Sequence, residues 1–204
     1  MTIGVANGDA SRTEMYTRLV DAGSDPFVFL RNRAIASVVA AEKCDVPLEL
    51  VTGKSPKRTN RVLFFTGASH WTRRWPRHRW RELGCMLPVG YEAVVPPIGT
   101  SLPEFVRIVS SCAAVVSNDT MALHVAAALG VPAVDIVNGV SGRNSFWPYP
   151  ASLGKRVEVC EPEEVSRIPI PLIGTRLAQY NALSSVTARQ VAESLAKILQ
   201  KELL

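Results

Sequence analysis

One stretch governs what this chain can fold into. Ala113 to Val116 is a short run of small and β-branched apolar residues, and the polar turn Ser117-Asn118-Asp119 follows it. Thr120 to Leu129 is then nearly all apolar at helical length, Gly130 and Pro132 stop it, and Ala133 to Val137 is a second, largely apolar run. Gly just past a helix with Pro shortly beyond is a C-terminal stop, because Gly accepts the left-handed conformation there and Pro cannot continue the helix. Two strands joined through a helix cannot pair as a tight hairpin; they lie parallel, with the helix as crossover. Strands apolar on both faces belong to a sheet covered on both sides. The expected fold class is α/β with a Rossmann-like parallel sheet.

The flanking segments extend the pattern. Val62 to Thr66, Pro76 to Leu83 and Ala93 to Val95 read as strand, helix and strand, with Pro76 in the first turn of the helix. Ser101 and Glu104 form a capping box before an apolar stripe, which predicts a helix over Leu102 to Ser111. Thr187 and Gln190 repeat the device, and Val191, Leu195, Ile198 and Leu199 line one face of a terminal amphipathic helix. The polar segment Thr52 to Arg61 reads as a linker. Its Gly53-Lys54-Ser55 is not a phosphate loop, because position 48 is Leu and Pro56 stands where a helix would run. The expected organisation is a linker or remnant over 1–60 and one binding domain over 61–204.

Composition narrows the class. At 204 residues and 47% hydrophobic the chain can bury a core, and its 20% charge and ordinary Gly and Pro content exclude a disordered or collagenous chain. No apolar run approaches the roughly 20 residues of a membrane helix, and nothing after Met1 resembles a signal peptide. Cys44, Cys85, Cys112 and Cys160 lack the short spacing of a metal or redox motif. Reduced cysteines in a cytoplasmic protein are expected. The net charge of +5 equals the five arginines at 73, 74, 77, 79 and 81, leaving 18 basic against 18 acidic residues elsewhere. Charge so concentrated points to one local anionic partner.

Three segments carry candidate chemistry. Asn118, Asp119 and Thr120 stand between a buried strand and a buried helix, where an α/β sheet presents helix amides and a positive dipole end to phosphates. From this turn alone, phosphate binding and plain helix capping are both open. His124, four residues after Thr120 on the same helix face, is directed at the same crevice and favours binding. Gly67-Ala68-Ser69 forms a small-residue turn that lets a ligand approach the backbone, and Arg73 or Arg74 offers a forked cation to a phosphate. A solvated basic face is the plain alternative, and Arg with Trp at 71–81 also suits single-stranded nucleic acid, though no nucleic-acid-binding motif accompanies them. The Gly-rich loop from Asn138, with Gly142 and Arg143, leaves the strand at 133–137 at the same edge. Three loops converging on one sheet edge argue for a ligand.

These residues match a family pattern. Ser117-Asn118-Asp119-Thr120 followed by His124 to Pro132 resembles the signature of glycosyltransferase family 9, the ADP-heptose:lipopolysaccharide heptosyltransferases and their relatives. Gly67-Ala68-Ser69 with Arg73-Arg74-Trp75-Pro76 resembles the family's glycine turn and basic-x-Trp-Pro motif, and Gly142 to Pro150 resembles a loop ending in Pro-Tyr-Pro. The resemblance implies a GT-B enzyme whose C-terminal Rossmann-like half holds a nucleotide diphosphate sugar such as ADP-heptose, with an envelope glycan or lipid-linked acceptor. It implies that Asp119, Thr120 and the Met121 amide face the diphosphate or sugar, that Arg73 contacts phosphate and that His124 supports the turn. Gly67, Ala68, Ser69, Asn118, Gly142 and Arg143 complete the expected substrate-binding set. No cofactor or metal is implied, since helix amides and cations stabilise the leaving diphosphate.

The expected location is cytoplasmic, peripheral to the inner membrane and without a membrane span. Met121 departs from the family's usual Gly, and Gly84 to Thr100 is short for what the family fits there. Sixty residues before Arg61 are too few for the acceptor domain that supplies the family's catalytic base, so a separate N-terminal domain is an expected partner and no base is assigned. The rival readings are a non-catalytic nucleotide-sugar-binding module and a basic nucleic-acid-binding protein.

Overall fold

The structure, a computed structural model, describes residues 3–5, 18–20, 58–138, 157–162 and 176–200. The chain divides into two compact units, Met1–Pro47 with Gly142–Tyr149 and Leu48–Ser141 with Pro150–Leu204. In the first, strand β1 (Ile3–Val5) pairs in parallel with β2 (Arg18–Val20), Ile3 opposite Arg18.

The second unit is built on a five-stranded, all-parallel sheet in the order β4-β3-β5-β6-β7. The strands are β3 (Thr59–Phe65), β4 (Glu92–Val94), β5 (Cys112–Asn118), β6 (Ala133–Ile136) and β7 (Val157–Cys160). A single-turn 3-10 helix (Trp71–Arg73) and helices α1 (Arg77–Cys85), α2 (Leu102–Ser111), α3 (Met121–Ala128), α4 (Arg176–Ser185) and α5 (Ala188–Gln200) complete it. The expected α/β class is the one found.

Local chemistry explains the boundaries. The Ser101 hydroxyl accepts from the Glu104 amide at 3.4 Å to start α2. Thr120 caps α3 by accepting from the Ala122 amide at 3.4 Å. That helix ends as its sequence requires: Gly130 turns at φ 65°, its amide donates to the Ala127 carbonyl, and the Val131 amide reaches back to Ala126 at 2.8 Å. At α5 the box is reciprocal, the Gln190 amide donating to Thr187 Oγ1 at 3.2 Å and the Thr187 amide to Gln190 Oε1 at 2.7 Å.

Period two then sorts the sheet's faces. Val62, Phe64, Ala114, Val116, Val134 and Ile136 pack with Trp75, Trp80 and Leu83 beside α1 and with Val191, Leu195 and Ile198 of α5. The alternate residues turn the other way, toward α2 and α3, and there Phe65 meets Phe105 edge-on at 5.3 Å between ring centroids. Each fully buried aliphatic side chain here contributes about 1.5 to 3 kcal/mol.

The sequence reading and the structure differ at particular places. β3 opens at Thr59, three residues before Val62, so the end of the segment read as a linker belongs to the sheet, its Thr59 opposite Cys112. Pro76 stands at the cap of α1 and not inside its first turn. β5 continues through Asn118, carrying the polar turn to the sheet's carboxyl edge. β1, β2, β7, α4 and the 3-10 turn had no counterpart in the sequence reading.

Candidate functional site

Because β3 and β5 are neighbours, their carboxyl ends bring the turn after Phe65 beside the turn after Asn118. Asn118 fastens the two. It is fully buried, its Oδ1 accepts from the Trp75 amide at 2.9 Å, and its Nδ2 donates to the Thr66 carbonyl at 3.0 Å and the Gly67 carbonyl at 3.3 Å. Trp75, also buried, donates from Nε1 to the Val186 carbonyl at 2.9 Å, which ties the same turn to the approach of α5. The Gly67 turn and the Arg73 turn are thus held against the head of α3 by one side-chain amide.

Arg73 crosses to the neighbouring turn. Its Nη2 donates to the Asp119 carbonyl oxygen and to Asp119 Oδ2 at 3.0 Å, with the two side chains 36% and 23% exposed. Thr120, which caps α3, shares a hydrogen bond with Ser117 at 2.9 Å, so the turn is rigid where the helix presents its amides. His124 is half-buried one turn into α3. Burial holds its imidazole below the usual range against the pull of the Asp119 carboxylate, so the ring is neutral at pH 7.

Gly67, Ser69 and Met121 are exposed along this edge, while Ala68 is half-buried and accepts a hydrogen bond from Arg74 Nε at 3.0 Å. The expected substrate-binding residues Gly67, Ala68, Ser69, Arg73, Asn118, Asp119, Thr120, Met121 and His124 therefore gather at one carboxyl edge. Asn118 acts from within, through its clamp, while Gly142 and Arg143 lie outside the described residues.

Two features went unread in the sequence. The first is a cavity of about 470 Å³, lined by Phe65, Thr66 and Gly67, the loop Val95 to Thr100, Leu102, Phe105 and Met121. Its lining is apolar yet open: Val95, Ile98, Leu102 and Met121 are all exposed. The signal was the run Val95-Pro96-Pro97-Ile98, apolar residues in a loop that a solvated connection has no use for. The second is Asp135 on β6. It is fully buried beside Ser117 of β5, and both its carboxylate oxygens lack a hydrogen-bond partner among the described residues. Burial pushes its carboxyl well above the usual range, Asp119 adds to the effect and Arg73 opposes it.

Comparison with known proteins bears on this geometry. Residues 93–155 match the model of Glycosyltransferase family 9 (heptosyltransferase). Among solved structures the chain is similar to the glycosyl transferase family 9 protein of Veillonella parvula DSM 2008, at 17% identity and a TM-score of 0.67, covering 98% of this chain and 68% of that one. It is similar to E. coli ADP-heptose lps heptosyltransferase II at 21% identity and 0.62, covering 99% and 70%. It is also similar to E. coli heptosyltransferase WaaC, solved with ADP-2-deoxy-2-fluoro heptose, at 20% identity and 0.61, covering 91% and 60%. No curated protein matches the chain. At these identities the structural likeness is one of fold, over about two thirds of each relative. The matched residues contain the Asn118 to Pro132 signature and the loop at 142–150, while the Gly67 and Arg73 turns lie before them. The expected GT-B type of α/β fold is borne out: the chain is similar in fold to heptosyltransferases, and its residues 93–155 match the glycosyltransferase family 9 model.

Proposed function

We propose that this chain binds a nucleoside diphosphate sugar at the carboxyl edge of its sheet, as the donor-binding part of a glycosyltransferase acting on lipopolysaccharide or another envelope glycan. One observation carries the reading: Met121 both heads α3 and lines the apolar cavity, so a flat apolar base in the cavity puts its diphosphate at the helix N-terminus. The Met121 amide, the positive end of the helix dipole and the Arg73 cation are suited to the negative charge. Gly67, Ala68 and Ser69 let the ligand close on the backbone, Asp119 and Thr120 shape the turn, and His124 supports it as a neutral ring; Gly142 and Arg143 are further proposed contacts, on the sequence resemblance alone. The family match and the WaaC complex with an ADP-sugar analogue favour ADP-heptose as donor.

In this reading the binding domain is the one expected over 61–204, extended at its start to Thr59 by β3, and the residues before it are a linker or remnant. Transfer is attack by an acceptor hydroxyl on the anomeric carbon. The bond from that carbon to the diphosphate oxygen breaks, and the diphosphate leaves carrying its charge to the helix amides and Arg73. The base that takes the hydroxyl proton belongs to a separate domain that holds the acceptor, at the cytoplasmic surface of the inner membrane. Calorimetric titration with ADP, UDP and GDP, beside a single-stranded oligonucleotide, tests the binding step. One nucleoside diphosphate should bind at one site and be weakened by Ile98→Glu, which charges the cavity wall. Oligonucleotide binding with a steep salt dependence and no nucleotide heat overturns it.

A further inference from the structure

Across the Arg73–Asp119 pair from the apolar cavity lies an aromatic surface to which no role has been assigned. Trp71 is 45% exposed, a large indole left in water where Trp75 and Trp80 of the same segment are buried. Its position is held by its own turn and by two neighbouring rings. The 3-10 turn that carries it closes with Arg73 N donating to the His70 carbonyl at 3.1 Å and Arg74 N to the Trp71 carbonyl at 3.0 Å. Next to it Thr72 is buried and hydrogen-bonded to His70 Nδ1 at 2.8 Å. Tyr180 of α4 backs the indole at 5.3 Å between centroids and a 52° tilt, and His70 flanks it at 5.7 Å. Leu177, one turn earlier on α4, is 64% exposed and extends the apolar surface. Two residues on, Arg73 reaches Asp119.

We infer that Trp71, backed by Tyr180, is a stacking platform for a sugar ring. A pyranose presents an apolar face of C–H groups and a rim of hydroxyls. A part-exposed indole, held against Tyr180 and flanked by the polar ring of His70, complements both. A nucleobase is the weaker fit, because the apolar cavity opens on the side of the sheet that carries α2 and α3, whereas Trp71 packs on α4 on the other side. A diphosphate at the head of α3 and Arg73 lies between them, so whatever the phosphate is joined to at its far end arrives at Trp71. That ring is either the donor's glycosyl group or the terminal sugar of the acceptor. The inference rests on the proposed nucleotide-sugar reading for its location, but not for its chemistry.

The test is calorimetry of the full chain and of Trp71→Ala and Trp71→Phe with four probes: ADP, ADP-heptose, a soluble core oligosaccharide from lipopolysaccharide, and vesicles containing anionic phospholipid. An exposed ring removed from its sugar partner should cost about fivefold to tenfold in affinity. Trp71→Ala is expected to bind ADP within twofold of the native chain while weakening ADP-heptose, the oligosaccharide or both by that factor, and Trp71→Phe should recover most of the loss. Loss confined to ADP-heptose assigns the platform to the donor sugar, and loss confined to the oligosaccharide assigns it to the acceptor. Unchanged ADP binding shows that the variant is folded. Equal weakening of ADP and ADP-heptose makes Trp71 a nucleotide contact and overturns the inference. So does vesicle binding lost with Trp71 while sugar ligands are unaffected, and so does a native chain that binds neither sugar probe. A chain that binds the oligosaccharide through Trp71 but no nucleotide keeps the platform and defeats the nucleotide reading instead.

Discussion

Asp135 is the residue whose replacement should most improve this fold. It sits inside the sheet, opposite Ser117 of β5 and Val159 of β7, with no exposed surface and neither oxygen hydrogen-bonded among the described residues. A buried polar group without a partner costs about 1 to 3 kcal/mol, and an ionised one costs more. Asp135→Val removes both oxygens, keeps nearly the same volume and places a β-branched residue in a strand. The expected gain is about 1 to 3 kcal/mol, or several degrees in Tm for a chain of this size.

The pH dependence has a definite sign. In the unfolded chain the carboxyl titrates near its ordinary value, about 3.9. In the folded chain burial and Asp119 raise it, only partly offset by Arg73. The protonated form is therefore the one the fold tolerates. Its contribution to stability is complete below the unfolded value and is lost as pH rises through the folded one, at a rate on the order of 1 kcal/mol per pH unit within that window. Urea denaturation of the native chain, Asp135→Asn and Asp135→Val at pH 5, 7 and 8.5 measures this. The native chain should weaken toward high pH more than either variant, and the valine variant should be the most stable at pH 8.5. A valine variant less stable than the native chain at every pH, or three parallel pH profiles, would instead show that Asp135 has a stabilising partner.

Other expectations follow from the same geometry. Arg73→Ala should weaken nucleoside diphosphate binding by about 1.5 to 3 kcal/mol by calorimetry, and its partly exposed ion pair should cost under about 1 kcal/mol in stability; Arg77→Ala, on an exposed face of α1, should matter less to binding. Asn118→Ala strips the clamp from the Trp75 amide and from two carbonyls, and should cost about 2 to 3 kcal/mol in chemical denaturation. Timed alkylation read by peptide mass spectrometry should label exposed Cys85 well before Cys112 and Cys160, since burial raises both of the latter thiols, Cys160 to about 11.

What the sequence disclosed was whatever short-range chemistry decides. Ser101 with Glu104 and Thr187 with Gln190 act across one helical turn, and α2 runs over Leu102–Ser111 as read. The stop at Gly130 is equally local. Arg176–Ser185 escaped notice because Leu177, Ala178, Ala182 and Leu183 make no clear stripe among polar neighbours, and the helix is held by partners such as Trp71 that are distant in sequence. The site divides in the same way. Asn118 and Asp119 were legible as polar residues at a strand-to-helix junction. That Asn118 spends its amide on Trp75, Thr66 and Gly67 depends on β3 lying next to β5, which no local pattern encodes. The apolar cavity draws on β3, the β4–α2 loop and α3 together, and Asp135 passed unread inside a largely apolar strand, its isolation set entirely by what packs around it.

In the proposed complex a nucleoside diphosphate lies with its phosphates on the head of α3 and its base in the cavity beside Met121. Amide and methyl NMR spectra recorded during a titration with ADP locate the ligand residue by residue. The Met121 and Ala122 amides should shift most, together with the methyl groups of Ile98 and Met121, while the amides of exposed Arg77 and Arg81 stay in place. Shifts centred on Arg77 and Arg81, with Met121 and Ile98 unmoved, would contradict this placement.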